Sequence, residues 1–267
     1  MARIAYLAVL CAQPAALAGF YTRQLGLDPV GGNDAGDVTL TDGSFNLTLL
    51  RNRPQLREPH QENGLHHLGI AVESIEATLA RYRAFNPRGV IVAERGGLQH
   101  GEVRIHDPES NPVSLSQRNF GLPAPADRVP RIAHIALNAL DTSLIFDFYA
   151  QVFGFRELLA AHAARRQEAG YRNRHVGDGH SNVAIQAFYN EEEGFEPRFG
   201  IAHIGFLVPD SKAAAEAVQR DGASVTPRPA RRTQSEIRMR DPEGNGCDLS
   251  QRGWEVDVDQ WVRPDAA

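Results

Sequence analysis

Residues able to bind a ligand alternate with apolar residues along predicted strands in the second half of the sequence. In residues 132–138, His134 lies on the polar face, and the odd-numbered residues, Ala133 included, lie on the apolar face. Asp248 and Ser250 share the polar face of a later strand. An apolar face covered by a helix leaves the other face for polar side chains. We therefore expect a curved sheet whose inner face binds a small molecule.

Arg238 follows the same alternation, on the polar face of residues 234–240. Two interpretations are open. Arg238 and its counterpart Arg104 can form ion pairs with Glu236 and Glu102, each two residues away on the same face. Alternatively, Arg238 is a fixed cation that faces an anionic group of a substrate or a developing oxyanion.

The sequence repeats itself, and the repeat predicts how these residues are positioned. Its clearest match has eight of twelve positions identical at an offset of 134 residues (241 − 107). Three pairs of segments recur in the same order: 107–118 with 241–252, 20–27 with 148–155, and 65–69 with 201–205. Ordered recurrence of this kind indicates a duplicated chain.

Each half divides again, which gives four units of about 60–70 residues, each a strand, a helix and further strands. We expect an N-terminal pair of units at 1–118, a linker at 119–130, a C-terminal pair at 131–252 and a tail at 253–267. The linker contains three prolines in twelve residues, which is typical of an extended connection.

Helix signals fall at corresponding places in the units. One helix has Pro14 in its first turn and ends at Gly26, and another is capped by Asp141 or Thr142. The apolar positions predicted for the face of that second helix are Leu144, Ile145, Phe148 and Val152. Weaker helix signals cover 73–85 and 210–220.

Composition excludes several function classes. Lys and Arg total 28 against 33 Asp and Glu, a net charge of −5, so we expect neither nucleic acid nor an anionic membrane as a partner. No apolar stretch approaches the about 20 residues of a membrane helix. Cys11 and Cys247 cannot build a disulfide framework or a cysteine-rich zinc site, which favours a cytoplasmic setting. Residues 1–12 have the outline of a signal peptide, but the recurrence of residues 3–8 at 131–136 favours a buried strand.

Together, a strand with a central His or Tyr, a helix ending Phe-Tyr-x-x-x-Leu-Gly-Leu at 20–27, and a closing strand after Asp-Pro-Glu-Gly-Asn at 241–245 resemble the vicinal oxygen chelate superfamily. That superfamily includes glyoxalase I, bleomycin-resistance proteins and type I extradiol dioxygenases. The resemblance covers nearly the whole chain. It implies an α+β fold of four βαβββ modules, paired into two tandem cup-shaped domains.

The resemblance also implies a metal site. In the superfamily, ligands come from the first strand of each paired module and from a closing strand, which corresponds here to His134, His203 and Asp248. Two imidazoles and one carboxylate suit Fe(II) and also accept Mn(II) or Zn(II). The corresponding residues of the first half are Tyr6, His67 and Ser114. We therefore expect the N-terminal domain to be free of metal and to act as a scaffold or dimer surface.

The sequence departs from the family pattern in ways that bear on this site. The closing-strand ligand is usually glutamate, and Asp248 is shorter by one methylene group. Arg238 stands where the extradiol signature has a tyrosine. His180, before a predicted strand at 182–189, resembles the histidine that handles protons in extradiol enzymes. A solvated loop histidine is the alternative for His180.

Three functions remain open at this stage. The first is an Fe(II)- or Mn(II)-dependent ring-cleaving dioxygenase acting on a small molecule. The second is a glyoxalase-like lyase or isomerase that does not use O₂, and the third is a small-molecule binding or resistance protein without turnover. The pocket walls, expected from 158–179 and 254–261, do not identify the substrate. Because paired cups often associate, we expect a homo-oligomer.

Overall fold

Two eight-stranded sheets, one from each half of the chain, form the fold. The computed structural model describes residues 2–53, 62–94, 99–123, 128–158, 173–188, 199–228 and 235–254. The first sheet contains β1 (Arg3–Cys11), β2 (Asp28–Gly32), β3 (Val38–Thr41), β4 (Asn46–Arg51), β5 (Gly64–Ala71), β6 (Val92–Ala93), β7 (Val103–His106) and β8 (Pro112–Ser116). The second contains β9 (Arg131–Ala139), β10 (Arg156–Glu157), β11 (Arg174–Gly177), β12 (Asn182–Ala187), β13 (Gly200–Leu207), β14 (Ser224–Pro227), β15 (Ile237–Arg240) and β16 (Gly246–Ser250).

The described residues also form four α-helices, one in each unit. They are α1 (Pro14–Leu25), α2 (Ile75–Phe85), α3 (Thr142–Phe153) and α4 (Ser211–Arg220). No described helix has the length and hydropathy needed to cross a lipid bilayer. A 3₁₀ turn, Asn119–Gly121, follows β8, and residues 124–127 of the predicted linker lie outside the described residues.

Strand order is the same in both sheets, and it confirms the predicted α+β fold of paired βαβββ modules. The order is β2-β3-β4-β1-β5-β8-β7-β6 in the first sheet and β10-β11-β12-β9-β13-β16-β15-β14 in the second. In each sheet the first strands of two modules, β1 with β5 and β9 with β13, pair antiparallel at the centre. The predicted ligand residues on β9 and β13 are therefore on adjacent strands.

The helices form largely as the sequence predicts. Pro14 opens α1, and Gly26 ends it with a left-handed φ of 65°, a conformation that glycine adopts without steric cost. Asp141, rather than Thr142, caps α3 by accepting hydrogen bonds from two N–H groups of the first turn. The prediction that Leu144 lies on the apolar face of α3 was wrong, because this residue lies at the edge of that face and is 42% exposed.

One face of each sheet packs against its helices, and the other face carries the polar residues. Cys247, Leu249 and Met239 belong to the hydrophobic core on the helix side, as the alternation predicts. Ala133 was predicted to share that side, which is wrong. A β-bulge between Ile132 and His134 adds one residue to β9, so Ala133 joins a small cluster with Trp254 away from the core.

Two buried aspartates connect the halves reciprocally. Asp42 in the first half accepts a hydrogen bond from the backbone N–H of Ile132 in β9, at 2.7 Å. Asp178 in the second half accepts one from the N–H of Ile4 in β1, also at 2.7 Å. Near its start, each of β1 and β9 therefore donates a backbone hydrogen bond to a carboxylate of the other half.

The repeated Asp-Pro-Glu loops connect the halves in the same reciprocal way. Glu243 accepts hydrogen bonds from the N–H groups of Ala12 and Gln13, at 2.7 Å each, just before α1. Glu109 does the same for the two N–H groups just before α3, at 3.0 and 2.8 Å. The most recognisable motif of the sequence thus orients the helix of the opposite half.

We predict that Asp178→Ala lowers the free energy of unfolding by about 2–4 kcal/mol, because it removes the acceptor of three N–H groups, of which that of Ile4 crosses to the other half. Urea unfolding measures the loss. The control is Asp210→Ala, which removes only an exposed helix cap of α4 and should cost about 1 kcal/mol. Equal losses in the two variants would contradict a special role for the contact between halves.

Candidate functional site

The three predicted ligand residues come together on the inner face of the second sheet, which we call the C-terminal cup. His134 lies on β9, His203 on β13 and Asp248 on β16, and each is at most 2% exposed. The imidazole centroids of His134 and His203 are 5.4 Å apart. His203 Nε2 is 3.4 Å from Asp248 Oδ2. Residues far apart in sequence therefore form one buried polar cluster.

Asn182 fixes the tautomer of His134. Parallel pairing of β9 with β12 places the two residues side by side, and His134 Nδ1 lies 2.6 Å from Asn182 Oδ1. An amide oxygen only accepts hydrogen bonds, so Nδ1 carries the proton and Nε2 keeps a lone pair. Burial, together with nearby His203, lowers the pKa of His134 well below its usual value, although Asn182 opposes the shift. His134 is therefore neutral at physiological pH.

Trp254 packs against His134 in the C-terminal cup. Its ring stacks on His134 with 4.7 Å between centroids and 9° between planes. Gly205, which pairs with His134 across the strands, makes room for it, because a Cβ there would lie 2.1 Å from the indole. The N-terminal half repeats the arrangement, with Phe120 stacked on Tyr6 at 4.8 Å and 15°.

Asp248 is held by two arginines and a serine. Arg238 donates from Nε to Oδ1 at 2.9 Å and from Nη2 to Oδ2 at 3.1 Å. Oδ2 also accepts from Ser235 Oγ at 2.8 Å and from Arg228 Nη1 at 3.1 Å. Burial alone would raise the pKa of Asp248, but His203, Arg238 and Arg228 together hold it well below its usual value. The carboxylate therefore stays ionised.

This environment does not fit a divalent cation bound through Asp248. Donors from Arg228, Ser235 and Arg238 already make four hydrogen bonds to this carboxylate, three of them to Oδ2, the oxygen that lies 3.4 Å from His203. Two guanidinium charges next to one carboxylate also repel a cation. Among the described ranges, no three or more His, Cys, Asp and Glu side chains are arranged to hold a metal ion. The predicted Fe(II), Mn(II) or Zn(II) site is therefore not supported by the donor set as it is arranged.

The predicted pairing of Arg238 with Glu236 was wrong. Antiparallel pairing of β15 with β16 puts Arg238 directly opposite Asp248, and such cross-strand neighbours have Cβ atoms about 4.5–5.5 Å apart. Glu236 instead accepts a hydrogen bond from the N–H of Gln251. The same correction applies to the counterpart Arg104, whose acidic partner is Glu94.

His180 lies in the turn before β12. Its N–H donates to Asp178 at 2.8 Å, and its carbonyl accepts from Arg131 at 2.8 Å. Asn182, two residues later, is the side chain of this segment that contacts His134. A role for His180 in proton transfer remains a prediction. Residues 159–172 and 255–261, which belong to the expected pocket walls, lie outside the described residues.

Sequence reasoning missed Arg228 and Ser235 in the C-terminal cup, and it placed His175 and Trp254 only in the expected pocket walls and Asn182 only on a strand facing the cup, without their contacts to His134. Asn182 had a signal, because the turn Asp-Gly-x-x-Asn occurs at both 42–46 and 178–182. Trp254 also had a signal, since it stands 134 residues after Phe120, and each of these aromatic residues follows a closing strand. Arg228 and Ser235 flank residues 229–234, and nothing in their spacing indicated a contact with Asp248.

The inner face of the first sheet, the N-terminal cup, has a different donor set. Burial raises the pKa of Tyr6 well above its usual value, so its phenol stays protonated, and its ring centroid is 5.6 Å from that of His67. Arg104 forms an ion pair with Glu94 and lies 3.3 Å from His67 Nε2. The absence of metal from this cup remains a prediction.

Comparisons with known proteins agree with this architecture. Three similar solved structures are the 2,3-dioxygenase LapB from Pseudomonas sp. KL28 (16% identity, 99% of this chain and 95% of that chain, TM-score 0.68), an Mn(II)-bound glyoxalase from Novosphingobium aromaticivorans (20%, 97% and 86%, 0.68), and 2,2',3-trihydroxybiphenyl 1,2-dioxygenase from Sphingomonas wittichii strain RW1 (15%, 97% and 94%, 0.66). Identities this low establish the fold alone. The Mn(II)-bound glyoxalase shows that a divalent metal occurs in a protein of this fold.

A search of curated proteins found no significant match. The sequence model of the glyoxalase/bleomycin resistance protein/dioxygenase superfamily matches residues 3–115 and 131–249, one match for each half and most of the chain in total. That superfamily includes enzymes, and its two matched segments coincide with the two sheets. The chain therefore belongs to the glyoxalase/bleomycin resistance protein/dioxygenase superfamily.

Proposed function

We propose that this chain is an enzyme that transfers a proton within a small anionic molecule bound in the C-terminal cup, as a lyase or isomerase does. The observation that carries the proposal is the contact of 3.4 Å between His203 and the ionised Asp248. A carboxylate beside an imidazole orients the ring and stabilises its protonated form. His203 can then accept a proton from a substrate and return it.

The surroundings of this pair support acid–base chemistry. His134 is held neutral, so the uptake of a proton by His203 does not place two charged imidazoles side by side. Asp248 cannot turn away from His203, because Arg238 and Ser235 bind both of its oxygens. Fixed geometry of this kind is what general acid–base catalysis requires.

The charge of the cup supports an anionic substrate. Arg228 and Arg238 bring two positive charges to the single negative charge of Asp248, in a site whose residues are buried. A buried excess of positive charge attracts a carboxylate, phenolate or enolate oxygen more strongly than it would in water. Gln186 and Asn182, both buried polar residues on β12, add neutral hydrogen-bonding groups nearby.

A ring-cleaving dioxygenase is the second candidate. It is favoured by the contact of His134 Nδ1 with Asn182, because metal-binding histidines commonly donate their other ring nitrogen to a fixed acceptor. It requires Asp248 to exchange its arginine partners for a metal ion. The proton-transfer proposal requires no rearrangement, and for that reason it comes first.

One experiment separates these functions. Small 2-oxo and 2-hydroxy carboxylates in D₂O are followed by NMR for loss of C–H signals, and catechols are tested for O₂ uptake with added Fe(II). We expect deuterium exchange that falls roughly 10²–10⁴-fold in His203→Gln and is unchanged in His67→Gln, its counterpart in the N-terminal cup. O₂ uptake that depends on Fe(II) would favour the dioxygenase. Binding of these compounds without any turnover would favour a binding protein.

Neutral His134 predicts a pH dependence of stability. The unfolded chain binds a proton at this histidine below about pH 6.5, whereas the folded chain does not until much lower pH. Its contribution is therefore complete above pH 6.5 and is lost as the pH falls, with a slope of about 1.4 kcal/mol per pH unit. In urea unfolding, the parent should lose about 1 kcal/mol more than His134→Gln between about pH 7.5 and 5.5. Parallel pH profiles for the two proteins would refute a neutral buried His134.

A further inference from the structure

We propose that the guanidinium group of Arg238 is the resident cation of the C-terminal cup, and that it replaces a divalent metal by occupying the carboxylate that such a metal would need. The inference concerns the same cup as the proposed function but does not depend on proton transfer, so the two can fail separately. It assigns to Arg238 the role of supplying a permanent positive charge beside Asp248.

The spacing of His203 and Asp248 would otherwise suit a metal. His203 Nε2 and Asp248 Oδ2 are 3.4 Å apart. Two ligand atoms that lie about 2.0–2.2 Å from one tetrahedral ion are separated by about the same distance. Asn182 also directs the lone pair of His134 Nε2 in the way that suits a ligand. The separation of His203 and Asp248 would therefore not prevent a metal from binding, whereas the arginines bound to Asp248 do.

Arginine holds this carboxylate in a bidentate manner. Arg238 contacts both oxygens of Asp248, through Nε at 2.9 Å and Nη2 at 3.1 Å. The pair is almost completely buried, with side-chain exposures of 3% and 1%. A planar guanidinium matches a carboxylate in this geometry and remains charged at any physiological pH. Asp248 is thus paired without any added ion.

The N-terminal cup provides an internal comparison. Arg104 occupies the position of Arg238, opposite Ser114, which occupies the position of Asp248. With a serine there, Arg104 takes its carboxylate from Glu94 instead. The arginine is present in both cups, whereas the position of its acidic partner differs.

Glu94 and Arg228 are themselves equivalent positions, 134 residues apart. The N–H of Glu94 bonds to the carbonyl of Glu102, and the N–H of Arg228 bonds to the carbonyl of Glu236. In the N-terminal cup, Glu94 at this position accompanies Ser114 on the closing strand. In the C-terminal cup, Arg228 accompanies Asp248. Both combinations leave the central arginine one carboxylate partner, Glu94 for Arg104 and Asp248 for Arg238, which is the pattern expected if the arginine is the fixed element of each cup.

Metal binding tests the inference directly. Purified parent is analysed for metal per chain by mass spectrometry and titrated with Co(II), whose absorption bands report coordination. We expect no stoichiometric metal and no saturable Co(II) spectrum. The double variant Arg228→Met and Arg238→Met frees Asp248, and it should bind Co(II) roughly 10–100-fold more tightly than the parent.

Two controls identify the ligand and the cause. Adding Asp248→Asn to the double variant should abolish the gain. Arg240→Met removes an arginine from the same strand that contacts the carbonyl of Gly244, and it should leave Co(II) binding at the parent level. The inference is overturned if the parent holds one equivalent of metal that Asp248→Asn releases. It is also overturned if the folded double variant binds Co(II) no better than the parent. The parent measurement decides the matter even if the double variant does not fold.

Discussion

Burial of the Asp248 carboxylate is the constraint on which the chemistry of the C-terminal cup depends. An ion removed from water costs several kcal/mol, so a carboxylate with no exposed surface needs hydrogen-bond donors or positive charges as partners, and Asp248 has both. The antiparallel pairing of β15 with β16 places Arg238 directly opposite Asp248. Arg228, which follows β14, is the second arginine that contacts this carboxylate. The same contacts that make burial possible determine that the cup is positive and that His203 faces a fixed anion.

Duplication separates what the fold requires from what each cup does. Both halves keep a glycine beneath a stacked aromatic residue, Gly69 under Phe120 and Gly205 under Trp254, and an arginine at the same place on the inner face. They differ at the residue under the aromatic ring, which is Tyr6 in one cup and His134 in the other. They differ also at Ser114 and Asp248. The shared features explain the common scaffold, and the differences give the C-terminal cup a histidine and an aspartate where the N-terminal cup has a tyrosine and a serine.

The fold could be predicted from the sequence, because repeated strand and helix patterns occur in the same order in both halves. The placement of His134 and Asp248 on polar faces followed from the same alternation, whereas their grouping with His203 followed from the resemblance to the superfamily. Alternation assumes uninterrupted strands, and for that reason it failed at Ala133, where a bulge adds a residue. The partners of Asp248 could not be predicted, since Arg228 is 20 residues away and contacts it only through the folded register.

The Asp-Pro-Glu motif illustrates why membership of a superfamily does not identify a reaction. Asp241 accepts hydrogen bonds from Asn245 within its own loop and from the hydroxyl of Tyr21 in the other half. Glu243, two residues later, binds the N–H groups that precede α1. These contacts hold the halves together and bring no group into either cup. The motif thus reports how the scaffold is assembled, whereas the chemistry depends on which charged groups surround the arginine beside each closing strand.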